Sequence, residues 1–249
     1  MTASPAPSSQ PPHGRWLRFA DAREAADLAA FLARLIHYDR AAAVRLQAAG
    51  GVLGVFGRPP SFEVLVIRTA RLADEGALDV TVSAGQLADA LDAGAVVGGG
   101  GLDVAVPEAV TGPPWAGVLP PRGGWQRVAG LPSVDEVRRA VVAAVGEFRA
   151  RDEALPEQRR NRAERDRIGR EIWSRTLGGT GLPLRAVHAA QALGFLRVVR
   201  VPAAVAAEGF RAPEALALFA VGGWLRLRTP YGSVAVRTGG VSGLTVTPA

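Results

Sequence analysis

The chain has 249 residues, of which 48% are hydrophobic and 21% charged, a balance that supports a folded core and excludes an intrinsically disordered protein. Its formal charge is +6, and all 29 Lys+Arg positions are arginine, so much of the basicity reflects the residue choice of a GC-rich background and does not alone imply an acidic partner. Cysteine is absent, which excludes disulfides, thiolate catalysis and zinc–cysteine sites.

The first residues, "MTASPAPSSQPPHG", are Pro/Ser-rich without an apolar segment and read as a flexible tail over residues 1–14, not a signal peptide. "RWLRF" predicts a short strand. "DAREAADLAAFLARLI" then predicts a helix with Asp21 and Glu24 at capping-box spacing. Its apolar stripe is Leu28, Phe31, Leu32, Leu35 and Ile36. The following "AAVRLQAAGGVLGVFGRPPSFEVLVIRTARL" alternates β-branched runs with Gly/Pro turns, a three-stranded antiparallel meander. Its most apolar strand, Phe62 to Thr69, should be central. "ALDVTV" adds a strand, and "SAGQLADAL" a short helix opened by Ser83 and Gln86. These elements make an N-terminal α+β half over residues 15–93.

Residues 94–132 contain so much Gly and Pro that they read as a crossing loop without regular elements, with Trp115 and Trp125 as candidate anchors. Residues 133–249 supply a helical middle segment and a C-terminal α+β half. Ser133 and Glu136 open a helix with Val134, Val137, Val141, Val145 and Phe148 on one face, and Pro156 ends it and starts the next. "LPLRAVHAAQAL" predicts a further helix, "FLRVVRV" a strand, and "EALALFAVGGWLRLRTPYGSVAVRT" a second meander. The fold class is therefore α+β: two antiparallel β-meanders with flanking helices. Laying Gly50-Gly51 on Gly222-Gly223 aligns the meanders without a gap. Ala43, Leu46, Ala48, Leu53, Ser61 and Val64 then fall on Ala215, Leu218, Ala220, Leu225, Ser233 and Val236. Pseudo-duplication is one explanation; coincidence among abundant Ala, Gly and Leu is the other, and composition slightly favours coincidence.

Two basic features invite a functional reading. "PEQRRNRAERDRIGREIWSR" holds seven arginines, but acids recur at helical spacing (Arg160–Glu164, Arg162–Asp166, Asp166–Arg170, Arg167–Glu171, Glu171–Arg175). The pattern is that of a solvated, self-paired helix. In "WLRLRTPYGSVAVR", strand alternation puts Trp224, Arg226 and Arg228 on one face, with Arg237 able to join them. Arginine beside an aromatic ring on an open sheet face binds single-stranded nucleic acid or another anion; the same pattern also describes the wet side of a half-buried sheet.

Catalytic chemistry is thin. His13 lies in the tail, His37 ends a helix where a cation suits the dipole, and His188 sits among alanines. No phosphate-binding loop, nucleophile elbow or zinc-protease motif occurs, and the carboxylates lack metal-ligand spacing. No catalytic residue, cofactor or metal is assigned. No apolar run reaches the roughly 20 residues of a membrane helix, so a cytoplasmic setting is expected.

"PPRGGW", "EIWSR" and "LPLRAVHAAQALGFL" together resemble a pattern of uncharacterised conserved proteins of high-GC Gram-positive bacteria, over residues 113–196. That resemblance implies a bacterial, cytoplasmic protein and no particular activity. The reading is a non-enzymatic protein that binds a macromolecular partner, foremost another protein, with Trp115 as a contact. The alternatives are nucleic-acid binding through Trp224, Arg226, Arg228 and Arg237, or an enzyme whose site the sequence does not reveal.

Overall fold

The structure is a computed structural model in which residues 15–197 and 216–238 are described. The expected tail with His13, and the part of the expected "FLRVVRV" strand beyond Arg197, lie outside those residues. The first strand, β1 (Trp16–Phe19), leads into α1 (Ala22–Tyr38). Asp21 caps α1 by accepting the Arg23 backbone N–H, while Glu24 reaches across to Arg71 instead of completing a capping box. The strands β2 (Ala43–Ala49), β3 (Val52–Gly57), β4 (Leu65–Arg71) and β5 (Leu78–Ser83) follow, then α2 (Ala84–Asp92), capped by Ser83 through the Gln86 N–H.

The Gly/Pro-rich stretch is more regular than its composition predicts. It forms β6 (Ala95–Val97), β7 (Gly101–Ala105), a 3-10 turn over Pro114–Gly117 and β8 (Gln126–Val128). Val96 and Leu102 pair across a glycine turn in which Gly99 and Gly100 adopt φ of 83° and 86°, a conformation that glycine takes without the Cβ penalty. The glycines mark a tight hairpin, and β7 also pairs with β1 in a small sheet of order β1-β7-β6.

Next comes α3 (Val134–Glu153), opened by a complete Ser133–Glu136 capping box. Pro156 ends it as expected but does not start the next helix. A 3-10 turn intervenes, and α4 (Arg162–Ser174) begins only where Asn161 accepts the Glu164 N–H. The described chain finishes with α5 (Leu184–Ala192), β9 (Ala217–Val221), β10 (Trp224–Thr229) and β11 (Gly232–Arg237).

Eight strands make one antiparallel sheet in the order β5-β2-β3-β4-β11-β10-β9-β8. The meanders β2-β3-β4 and β9-β10-β11 thus sit side by side, joined where β4 pairs with β11. The β2–β3 and β9–β10 hairpins both close over a Gly-Gly pair, at Ala49↔Val52 and Val221↔Trp224, so that part of the sequence alignment holds. The next hairpins differ. Gly57↔Val66 closes across residues 58–65 and Thr229↔Gly232 across Pro230 and Tyr231 alone. Ser61 and Val64 consequently lie in a loop, whereas Ser233 and Val236 lie in β11, and the ungapped match fails beyond Gly57. Taken from the hairpin closures instead, Ile67 occupies the place of Ser233, and these two residues are cross-strand partners at the seam. A local two-fold therefore runs through that pair, the arrangement of a pseudo-duplicated unit.

One sheet face carries the helices: α1 packs on β4, α5 on β11, α2 on α1, and α3 and α4 on α5. Strict alternation aims Leu46, Leu53, Val66, Leu227 and Val234 into a single core with Phe31, Leu35, Ile168, Ile172 and Val187. The loop between β3 and β4 folds back onto this layer. Ser61 and Glu63 adopt φ of 70° and 52°, and buried Phe62 packs edge-on against Tyr38 of α1 and His188 of α5. Phe62 thereby pins the first half of the chain to the second.

Candidate binding face of the large sheet

Among the described residues no α-helix packs on the opposite sheet face. Alternation along β10 sends Leu225 and Leu227 into the core and leaves Trp224, Arg226 and Arg228 outward. Arg226 stands opposite Ala235 on β11 and Phe219 on β9. Arg237 at the end of β11 is the partner of Trp224 and lies over its indole, 5.1 Å from the ring centroid. The expected set Trp224, Arg226, Arg228 and Arg237 therefore shares one face, although Trp224 is buried and offers its ring to Arg237 and not to solvent.

A second, smaller apolar cluster lies here, built from Leu65, Ile67, Trp224 and Ala235. The crossing loop lies over it, with Trp115, Leu119 and Trp125 packed on the cluster. Trp125 is held by its indole N–H, which donates to the Pro121 carbonyl at 2.9 Å, and stacks under Arg226 at 5.8 Å. Trp115 is half-buried against the sheet; packing there takes up much of the ring that a contact with a partner would use.

At the end of the seam β4 parts from β11 beyond Ile67, and a groove of about 740 Å³ opens. Ile67 and Phe219 line it beside Arg226, Arg228, Thr229 and Ser233, and the start of α1 closes the far side. Arg68, which the sequence reading did not single out, spans the gap beneath. It is only 8% exposed. Its Nη2 donates to Asp27 Oδ2 of α1 at 2.7 Å and its Nη1 to the Tyr231 carbonyl in the β10–β11 turn. A lone arginine inside the apolar run "VLVIRTA", in phase with Val64, Val66 and Ala70, was the available signal. On the other wall Arg71 pairs with Glu24. Among the described residues no carboxylate pairs with Arg226, Arg228 or Arg237. Burial, with Arg228 adding repulsion, pulls the Arg226 guanidinium below its ordinary pKa, and its Nε is buried without a hydrogen-bond acceptor.

The arginine-rich helix lies elsewhere. α4 packs against α3 and α5 in the helical layer, behind the sheet from Arg226, so its arginines do not continue the open face. Most are paired with acids, partly within the stretch, as the spacing suggested, and partly across to α3. Arg151 forks onto Glu171 at 2.7 and 2.8 Å, and Arg175 onto Glu147 at 2.6 and 2.8 Å. Arg165 meets Asp152 at 2.7 Å. Within the helix, Arg162–Asp166, Arg167–Glu171 and Arg175–Glu171 are present, whereas the expected Arg160–Glu164 and Asp166–Arg170 pairs do not form among the described residues. Arg160 instead donates to the carbonyls of Glu153 and Leu155, while Glu164 takes Arg159 and Arg167. The hydrogen bond from Arg151 holds the Glu171 carboxyl down to about 2.

His37 is exposed at the end of α1. His188 is stacked on Trp173 at 4.4 Å and met edge-on by Phe62, and burial lowers its pKa. Neither stands beside a carboxylate in an ion pair among the described residues, and these contain no cluster of metal-ligating side chains. No helix of the described residues is long and apolar enough to cross a membrane.

Residues 13–117 match a family model described as a domain of unknown function (DUF8010), and residues 120–241 match another of the same description (DUF8185). Both support an uncharacterised family, and the break between them falls inside the crossing loop. No curated protein matches the chain by sequence. Among solved structures, two crystal structures of the DNA polymerase sliding clamp from Pseudomonas aeruginosa, one with ligand, are similar in arrangement. Their identities are 13% and 12% and their TM-scores 0.43 and 0.45. The alignments cover 89% of this chain and 63% and 64% of the clamp chains, so the chain spans less than two thirds of their length.

Proposed function

We propose that this chain, whose halves match two uncharacterised domains, is a non-enzymatic binding protein that engages a partner protein on the face of the large sheet opposite its α-helices. The observation that supports this most is the row Arg226, Arg228 and Arg237, set on a partly apolar face without carboxylate partners among the described residues. Charged side chains left unpaired beside apolar surface are what an interface uses for orientation and recognition. The resemblance of residues 113–196 to uncharacterised proteins of high-GC Gram-positive bacteria supports a bacterial, cytoplasmic setting.

Nucleic-acid binding by the same row is the second reading, favoured by arginine next to aromatic rings. It lacks the support of α4, and the indoles beside the arginines are already packed. Fluorescence anisotropy with random single- and double-stranded oligonucleotides, at low and near-physiological salt, separates the two. The protein-partner reading expects no tight complex. Tight binding that falls steeply with salt, and is lost on Arg226→Gln and Arg228→Gln, transfers the face to nucleic acid.

A further inference from the structure

The approximate two-fold of the sheet makes an internal comparison available. Hairpin closure places Gly54 of β3 where β10 has Arg226, and Phe56 where it has Arg228. The fold thus accommodates an uncharged residue at both positions, and the arginines of β10 answer no requirement of the sheet. One of them, Arg226, also carries a cost, whereas Arg228 is exposed. Arg226 is half-buried, its Nε lacks an acceptor, and its nearest charged neighbour on the strand, Arg228, is of like sign. A desolvated charge without a counter-ion destabilises the fold that holds it.

We infer that Arg226 and Arg228 form a carboxylate-binding subsite in the groove beside the seam, and that the partner is a protein segment in which acidic residues alternate with apolar ones. The inference rests on the protein-partner reading above and names the chemistry of that partner. The guanidinium fork matches a carboxylate in two parallel hydrogen bonds, and Thr229 and Ser233 line the same groove. Ile67 and Phe219 lie within a side chain's reach as an apolar floor. An extended segment sends alternate side chains to opposite sides, so one acidic residue at the arginines leaves apolar neighbours for the floor and for the edge formed by the crossing loop. The opposite wall, at the start of α1, carries Arg23 beside Asp21, Glu24 and Asp27, and Glu24 and Asp27 are paired with Arg71 and Arg68; it is the apolar floor of Ile67 and Phe219 that suits a peptide side chain better than a continuous phosphate backbone.

The test is anisotropy with the full chain and a fluorescein-labelled peptide of alternating Asp and Leu, its Asn–Leu counterpart, and a single-stranded oligonucleotide. The Asp–Leu peptide binds and the Asn–Leu peptide does not. Arg226→Gln and Arg228→Gln each weaken the complex about tenfold or more, Arg226→Lys weakens it less, and Arg170→Gln on α4 has no effect. Because Arg226 has no acidic partner to lose, Arg226→Gln also melts at the same temperature as the wild type or higher. Binding of both peptides alike, or unchanged binding by the Arg226→Gln, Arg228→Gln double variant, overturns the subsite. Binding of the oligonucleotide alone, lost in the same variants, replaces it with a phosphate site. A photo-crosslinker at Phe219 separates the two levels of failure. Adducts with a protein at Phe219 but no Asp–Leu binding remove the acidic segment and leave the face as an interface; neither signal removes both.

Discussion

Replacement of Arg68 by Ala should be among the most costly single changes in the protein that leave the apolar core untouched. The side chain ties three elements together: it rises from β4, its fork reaches Asp27 of α1, and its second Nη holds the Tyr231 carbonyl across the seam. Hydrogen bonds from a charged donor contribute about 1.5–3 kcal/mol each, and the buried methylene stem adds about 0.8 kcal/mol per CH₂. Two effects offset this sum. Asp27 is 48% exposed and regains water when its partner leaves, and a buried guanidinium with an unsatisfied Nε is itself relieved of a desolvation cost. The net expectation is a loss of about 2–4 kcal/mol. For a chain of this size that lowers the melting temperature by about 5–12 °C. Arg68→Lys keeps the charge but cannot reach both acceptors, and should fall between. Asp27→Asn alone should cost about 1 kcal/mol, with a coupling energy to Arg68 of similar size in a double-mutant cycle. Urea unfolding of the wild type, the three single variants and the Arg68→Ala, Asp27→Asn double variant measures the free energies, and a thermal melt the temperature shift. A cost for Arg68→Ala below about 0.5 kcal/mol, in the range of an ordinary surface substitution, together with zero coupling to Asp27, would refute the picture of Arg68 as the tie across the seam.

Other expectations follow from the same geometry. The Glu171 carboxyl is held at about 2, against an ordinary 4.5, chiefly by Arg151, and Arg175 likewise lowers Glu147. A depressed carboxylate stabilises the fold above its unfolded pKa and loses that contribution as pH falls towards its folded value. The melting temperature should therefore drop between about pH 5 and pH 2, and less steeply in Glu171→Gln; equal slopes would count against the α3–α4 network. Gly232→Ala should be severe, because a Cβ at this φ of 153° would sit 2.6 Å from Phe195 Cζ and 2.9 Å from the Ile67 carbonyl oxygen. A loss of about 3 kcal/mol or more is expected by calorimetry, and an unchanged transition would show that β11 is packed differently. Phe62→Ala should cost about 2–4 kcal/mol and expose the β3–β4 loop to trypsin at Arg58. Cleavage no faster than in the wild type would mean that Phe62 does not pin the loop.

How far the sequence foretells this structure depends on the range over which the determining contacts act. Caps and stripes are local, so Asp21, Ser83 and Ser133 mark helix starts. Leu28, Phe31, Leu32 and Leu35 mark the buried face of α1. Two-residue alternation likewise predicts that Trp224, Arg226 and Arg228 share a side. What alternation cannot supply is the neighbour. That Trp224 lies beneath Arg237, that Trp125 lies under Arg226, and that α4 is on the far layer all follow from packing between distant segments. The small sheet was missed because "GAVVGGGG" is judged by its glycines, whereas the hairpin needs them for its turn and only Val96, Val97, Leu102 and Val104 for its strands. The repeat was half legible. The Gly-Gly turns align, but the longer β3–β4 loop shifts everything after Gly57 and hides the match between Ile67 and Ser233.

The seam where Leu65–Ile67 meets Ser233–Ala235 joins segments that leave the ribosome far apart in time. At the usual 5–20 residues per second, β4 waits about ten to thirty seconds for β11 to be made. Throughout that interval the most apolar strand of the nascent sheet has a bare edge, the kind that recruits another strand from a neighbouring chain. Arg68 sits in the middle of it. A charge at that position is a deterrent to edge-to-edge pairing while the strand is unpartnered, and becomes a tie to Tyr231 once the partner arrives.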